Sequence, residues 1–464
     1  MSWQAVEGSF RDPSGFVYCR DATLYRQVNK VFGKQFEAFI TSGLYDELTR
    51  EGLLVPHTQV GLELSATADA YAVLQPERIA FISYPYEWSF GQLKDAALLT
   101  LDIQERALSK GFTLRDSSAY NVQFHGGRPV FIDTLSFEPL EEGKPWPAYK
   151  QFCEHFLLPL TLMSKRDIRC GSLLRTYVDG IPLDFGSRLL PARSWASLSS
   201  VLHLHLHAWA QGRYAGAAVS SAAKGKSMSR TALVRLIQNL KSAVAGLSWN
   251  PAGTEWAEYT SDNNYSEEAA RSKRALVLGH LAGSGARTVW DLGANTGEYS
   301  RAAREVTPQV ISFDVDPAAV ERNYRRVRAN SETGILPLLL DLTNPSPAQG
   351  WAGRERLSLA ERGPADALLA LALVHHLAIG HNLPLDRIAQ YLSRLGRLLI
   401  IEFVPKTDSQ VARLLLSRPD IFPGYTKEGF ETAFQREYEI KGMSRVADSE
   451  RWLYCMTSRH FAVD

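Results

Sequence analysis

The sequence predicts an α/β protein with two folded parts, the second built on an open, mostly parallel sheet. Three observations carry this reading. The chain has 464 residues, more than a single hydrophobic core usually serves. From about Trp256 onward, apolar strand-like runs alternate with helical patterns, and each run ends on a polar residue. In the first half, a helical pattern, LKDAALLTLDIQERALSKG, precedes a strand-turn-strand pattern.

Composition narrows the function classes. Lys plus Arg (51) nearly balance Asp plus Glu (50), for a net charge of +1. No global field therefore favours nucleic acid, and a small molecule, a glycan or a peptide is the expected partner. The N-terminal MSWQAVEGSFRDPSG has no basic n-region followed by an apolar stretch, and no apolar run approaches the roughly 20 residues that span a bilayer. A cytoplasmic location is expected. Cys19, Cys153, Cys170 and Cys455 are scattered without zinc-site spacing, so reduced structural thiols are expected.

Along the chain, Tyr18 to about Met163 is dense in aromatic and aliphatic residues and predicts a folded domain. Ser164 to about His207 is mixed. Within it, VLHLHLHAW sets His203, His205 and His207 at alternating positions, which on a strand would share one face and could hold zinc. With no Asp, Glu or Cys in a metal-site pattern nearby, structural histidines are the expectation. Ala217 to Arg230, rich in Ala, Ser, Gly and Lys, reads as a linker. LVRLIQNLKSAVAGL has helical periodicity, and a further helix opens at Ser266 with Glu267 and Glu268 in its first turn. These features divide the chain into 1–210, a connector with a helix at 211–250, and 251–464.

The last part orders itself strand, glycine turn, helix. TVWDLGANTGEYSRAAREV gives a strand ending at Asp291, a turn with Gly293 and Gly297, and a helix from about Glu298. Gly293 permits the tight turn, and Gly297 is expected to let the backbone approach a ligand. A second strand, VISFD, ends in Asp314, where nucleotide-binding folds hold ribose hydroxyls. ILPLLLD ends in Asp341, ADALLALALVHH ends at His375 and His376, and RLLIIEF ends near Glu402. Ligands in such sheets bind outside the carboxyl ends of the strands, so these polar termini are expected to share one crevice. YEIKGMSRVADSERWLYCMTS predicts a closing pair of strands.

On DLGANTGEYS and Asp314, the segment from about Trp256 resembles the class I S-adenosyl-L-methionine (SAM) dependent methyltransferases. That resemblance implies a Rossmann-like, mostly parallel seven-stranded sheet with an antiparallel last strand. It implies Asp291, Gly293 and Gly297 along the methionine and ribose of SAM, Asp314 on the ribose hydroxyls, and Asp341 with Leu342 near the adenine. Asn295 stands where many members have Gly or Cys. LALALVHHLAIGHNLPLDRI followed by IIEFVPKTDSQV resembles, more narrowly, bacterial methyltransferase-like proteins of the NoeA nodulation group. Transfer to a hydroxyl or amine needs a base, for which His375, His376 and Glu402 are the candidates. Trp256, Tyr259 and Tyr265 could cap the site or pack in the core. A dinucleotide dehydrogenase is disfavoured, because the turn lacks full G-x-G-x-x-G spacing and no hydride-transfer constellation accompanies it.

The first half carries GFTLRDSSAYNVQFHGGRPVFIDTLSF. Asp116 and Asn121 have the D-x-x-x-x-N spacing of a kinase catalytic loop, and Asp133 follows an apolar strand. From about Glu87 to Leu160 the chain is similar to kinase-like and aminoglycoside-phosphotransferase-like lobes, of α+β class. The resemblance implies Asp116 as a base and Asn121 with Asp133 as magnesium ligands beside ATP. It departs where Leu114 replaces His and where Thr-Leu-Ser follows Asp133. No glycine-rich phosphate loop precedes it, and Lys30 or Lys34 is the expected phosphate-binding lysine. The reading is thus a methyltransferase whose degenerate kinase-like lobe binds or presents the acceptor. Its alternatives are a bifunctional phosphotransferase-methyltransferase and a non-catalytic interaction protein on retired enzyme folds.

Overall fold

The computed structural model describes residues 3–192, 194, 203–204, 227–252, 266–416 and 419–461. The chain divides into two compact units, residues 1–250 with 350–356, and residues 251–349 with 357–464.

Unit 1 opens on a five-stranded antiparallel sheet of order β1-β2-β3-β5-β4. Its strands are β1 (Trp3–Ala5), β2 (Gly15–Arg20), β3 (Thr23–Asn29), β4 (His57–Val60) and β5 (Ala70–Pro76). The β2–β3 hairpin pairs Arg20 with Thr23 across Asp21 and Ala22, both at positive φ, the geometry that matches the twist of its flanking strands. Helices α1 (Gly33–Thr41) and α2 (Leu44–Arg50) lie between β3 and β4 in the chain. Helix α3 (Phe90–Ser109) follows β5, started by a capping box in which Ser89 and Gln92 satisfy each other's backbone N–H. Next come β6 (Phe112–Leu114), the hairpin β7 (Val122–His125) and β8 (Arg128–Phe131), and β9 (Phe137–Pro139), which pairs with β6.

The helix expected inside the 211–250 connector is α4 (Arg230–Ala245), and it belongs to unit 1. Lys241 bridges Asp102 and Glu105 of α3, and Lys94 Nζ donates to the carbonyls of Ala245 and Leu247 at 2.8 Å each. This helix is therefore part of the first unit's packing, not a connector. Most of the Ala217–Arg230 run lies outside the described residues.

Unit 2 is a seven-stranded sheet of order β12-β11-β10-β13-β14-β16-β15. The strands are β10 (Thr288–Leu292), β11 (Gln309–Asp314), β12 (Ile335–Leu339), β13 (Ala365–Ala370), β14 (Gly396–Phe403), β15 (Tyr438–Arg445) and β16 (Trp452–Ser458). β10 to β14 pair in parallel, and β16 runs antiparallel to both its neighbours, as the resemblance implied. Central strands covered on both faces need continuous apolar runs, which Ala367–Ala370 and Leu398–Ile401 supply. Helices α5 (Glu267–Ala282), α6 (Glu298–Arg304), α7 (Pro317–Ala329) and α8 (Leu385–Leu395) accompany the sheet. Val277 and Leu281 of α5 share one core with Val289, Val310, Ala367, Ile400 and Leu453. Ser266 caps α5, its hydroxyl accepting from Ala269 N–H at 3.1 Å. No helix among the described residues is long and apolar enough to cross a membrane.

Candidate functional site

At the carboxyl end of β10 the glycine turn folds onto the end of β11. The N–H groups of Gly293 and Ala294 both donate to the Phe313 carbonyl at 2.9 Å. Asp314 completes the join: its Oδ2 accepts from Asn295 N–H at 2.7 Å and its Oδ1 from Asp316 N–H at 2.9 Å. Burial pushes its carboxyl up to about 6, against those two backbone donors. Asp314 thus shapes the loop it is expected to serve, and each oxygen keeps a lone pair for a hydroxyl.

Gly293 (φ +78) and Asn295 (φ +48) both take the left-handed conformation. Asn is among the few side chains that adopt it readily, which explains how Asn295 replaces a glycine. Gly297 (φ +81) opens α6. A Cβ there would lie 2.5 Å from Asn323 Nδ2 and 2.7 Å from Arg301 Nη1. Its left-handed φ and the Asn323 side chain of α7 already demand a glycine here. Asp291 likewise turns inward. It is 2% exposed and its Oδ2 accepts from Ser300 Oγ at 2.6 Å, while Ser312 Oγ donates to Ser300 Oγ at 2.5 Å. This chain pins α6 to β10 and β11, and burial pushes Asp291 up to about 6. Ser300 and Ser312 carry no sequence signal that distinguishes them from surface serines.

Asp341 stands two residues beyond β12, exposed, its Oδ1 accepting from the N–H and hydroxyl of Thr343 at 2.8 and 2.6 Å; Leu342 is half-buried. The two histidines do not end a strand. β13 stops at Ala370, the left-handed Ala372 (φ +50) breaks the extended path, and His375 and His376 fall on a helical turn. His375 has no exposed surface, and neither ring nitrogen has a hydrogen-bond partner. Burial, with His376 next, holds its proton affinity well below the usual range. His376, half-buried with ring centroids 4.1 Å apart from His375, is lowered to about 4 by burial.

Glu402 is corrected as a base. It is fully buried, and its Oε2 accepts from Lys273 Nζ and from Ala372 N–H, both at 2.7 Å. Arg451 Nη1 lies 3.8 Å from its other oxygen and binds Asp408 through Nε at 2.7 Å. A carboxylate so engaged holds the Ala372 turn in place and has no route to an acceptor. Lys273, 2% exposed, was missed although legible: it occupies the apolar row Ala269, Lys273, Val277, Leu281 of α5. Trp256, Tyr259 and Tyr265 lie outside the described residues.

In unit 1, Asp116, Asn121 and Asp133 do come together. Asp116 is raised by burial and, less, by the Asp133 charge, while Asn121 hydrogen-bonds it. Asn121 Nδ2 donates to Ser136 Oγ at 3.4 Å, and Ser136 donates to Asp133. The other Asp133 oxygen pairs with Arg26 of β3 and accepts from Leu135 N–H at 3.1 Å. A magnesium ion does not fit this donor set, because both Asp133 oxygens are committed and a guanidinium already neutralises the charge. Among the described residues no group of three His, Cys, Asp or Glu could hold a metal. Lys30 Nζ donates to the Ala68 carbonyl at 2.8 Å, and the cation at Asp133 is Arg26. His203 is satisfied by Tyr149 Oη at its Nδ1 and Asn239 Oδ1 at its Nε2, each at 2.7 Å; His205 and His207 lie outside the described residues.

The chain is 38% identical to nodulation protein NoeA of Rhizobium meliloti (strain 1021) over 455 residues, 97% of this chain and 95% of that protein. It belongs to the NoeA family. No protein-family model matches it. Among solved structures, the chain is similar to N-methyltransferase NodS from Bradyrhizobium japonicum WM9 in complex with S-adenosyl-L-homocysteine, at 14% identity over 45% of this chain and 94% of that one, with a TM-score of 0.32. It is also similar to WbdD, in a co-crystal with the kinase inhibitor LY294002, at 14% identity over 43% of each chain, with a TM-score of 0.30. At these scores neither likeness carries a functional inference. The NoeA relationship spans both units, so each is part of what the family shares.

Proposed function

We propose that this NoeA-family chain is a SAM-dependent methyltransferase. Its unit 2 holds the cofactor, and its unit 1, a kinase-like lobe without magnesium, binds or presents an oxygen or nitrogen acceptor. The observation that carries the reading is the mutual clamp of the glycine turn and Asp314 at the carboxyl edge of the sheet. Near-neutral charge favours a small-molecule, glycan or peptide acceptor over nucleic acid, and the protein acts in the cytoplasm. The kinase-like reading of unit 1 is supported by the helices after the third strand and the approach of Asp116, Asn121 and Asp133.

Bound SAM supplies an electrophilic methyl group on a sulfonium. Asp314, already oriented by two backbone donors, accepts from the ribose hydroxyls. Gly293 keeps the backbone low, since a Cβ there would touch only Leu373, at 3.4 Å. Leu342 offers an apolar face to the adenine. Holding the acceptor in line supplies much of the acceleration, since orientation alone is worth several kcal/mol. His376, neutral and partly accessible, takes the acceptor's proton, and the buried His375 and Glu402 hold its turn in position. Calorimetric titration tests this. Wild type should bind SAM, and Asp314→Ala should lose at least about 100-fold in affinity, two lost charge-assisted hydrogen bonds. Folded wild-type protein without SAM binding, or an unaffected variant, overturns the reading.

A further inference from the structure

Beside the Asp116–Asn121 loop of unit 1, three polar side chains converge with hydrogen-bonding atoms unspent. Tyr120, on that loop, meets His155 edge to face at 6.1 Å and carries the Arg356 guanidinium 4.0 Å above its ring. Tyr84 adds a further aromatic wall, its ring 6.2 Å from that of Tyr120. The Tyr120 hydroxyl, His155 Nδ1 and Arg356 Nε are all buried without a hydrogen bond of good geometry; the Tyr120 oxygen faces the Arg356 guanidinium, which leaves its O–H to donate elsewhere. His155 is 2% exposed, and its other nitrogen faces the Asp179 backbone. Arg356 spends one nitrogen on the Glu355 carbonyl at 3.0 Å and has no ion pair among the described residues. Glu87, the acid whose charge acts on Tyr120, accepts from the Tyr84 N–H at 2.9 Å, and Asp116 of the loop accepts from the Ser118 N–H at 2.8 Å.

Buried polar groups are nearly always satisfied, and each exception calls for a partner. An orphan hydroxyl costs about 1–3 kcal/mol and a charged donor more. Arg356 is not there by accident of a loose segment. Residues 350–356 are part of unit 1, anchored by Glu355 to Arg11 at 2.7 Å and by Arg354 to Glu7 at 3.2 Å. Two unspent donors, one of them cationic, suit an anionic group, and a bare imidazole nitrogen suits a ligand hydroxyl.

We propose that Tyr120, His155 and Arg356 form an anion-binding site that takes the phosphate or carboxylate of a hydroxylated ligand lying on the Asp116–Asn121 loop. The site needs no metal. It stands apart from the methyltransferase reading, and its test does not depend on that reading.

The test is calorimetric titration of the full chain with inorganic phosphate, glucose 6-phosphate, glucuronate, glucose, and ADP with a chelator. All arms use the Asp314→Ala background, so that binding at an adenosine site in unit 2 is weakened at least about 100-fold. Saturable binding of phosphate and of at least one hydroxylated anion is expected, with glucose alone at least 10-fold weaker. Preference among ADP, glucose 6-phosphate and glucuronate identifies the source of the anion. Arg356→Gln and Tyr120→Phe should each weaken binding at least 10-fold, and Arg50→Gln, at an exposed position on α2, should leave it unchanged. Tyr120→Phe retains the ring and its packing, so its loss of binding reports the hydroxyl even where Arg356→Gln disturbs the segment. No saturable anion binding by folded protein, glucose binding as well as its phosphate, or equal affinities across the variants overturns the proposal.

Discussion

A fully buried imidazole with both nitrogens unpartnered holds a neutral ring at the expense of stability. His375 is such a residue, and its folded proton affinity lies well below the unfolded value of about 6.5. The folded state therefore binds fewer protons than the unfolded state, and stability falls as pH drops below about 6.5. His375→Leu, similar in size and apolar, should raise stability at pH 7 by about 1–3 kcal/mol and flatten the decline between pH 6.5 and 5, as urea titrations at several pH values will reveal. A decrease in stability would return the ring to a satisfied role. The sequence displayed His375 and His376 as equals. Only the packing behind the Ala372 turn separates the buried one from the accessible one, and no local pattern encodes that packing.

At the level of elements, the β10–α6 loop and helix α5 each contain a feature that energetics can isolate. Gly297→Ala forces a left-handed residue and drives a methyl group to 2.5 Å from Asn323, so it should destabilise unit 2 by about 1–3 kcal/mol. Asn295→Gly should stay within about 1 kcal/mol of wild type, since its backbone already has the conformation glycine prefers. Chemical denaturation of the two variants gives the contrast. Lys273→Met should cost about 3–5 kcal/mol by removing the cation that contacts the buried Glu402 at 2.7 Å, and adding Glu402→Gln should recover most of it. An additive double variant would mean the two side chains are independent. Strands β10, β11 and β14 and the cap at Ser266 were legible because burial on both faces and N-capping leave local signatures. The end of β13 was not, because a left-handed alanine decides it.

For the molecule as a whole, two separate cores predict two calorimetric transitions. SAM at about 100 times its Kd should stabilise one of them by about 2.7 kcal/mol and leave the other where it is; a common shift of both would mean the units unfold as one. The two-part organisation was readable from length and from the change of pattern after the first half. The return of residues 350–356 to unit 1 was not, since it depends on contacts more than 300 residues apart in sequence, such as Glu355 with Arg11. The pairing of Arg26 with Asp133 has no local signature for the same reason, since 107 residues separate the two in sequence.

That return segment also sets an order of events on the ribosome. Unit 1 is otherwise finished at residue 250, yet Glu355 and Arg356 are synthesised only after β10, β11 and β12. The nascent first unit therefore waits, its Tyr120 and His155 uncovered by their cation, until roughly half of the second sheet has left the exit tunnel at about 5–20 residues per second. On the anion-site proposal, ligand capture by the first unit follows the growth of the second.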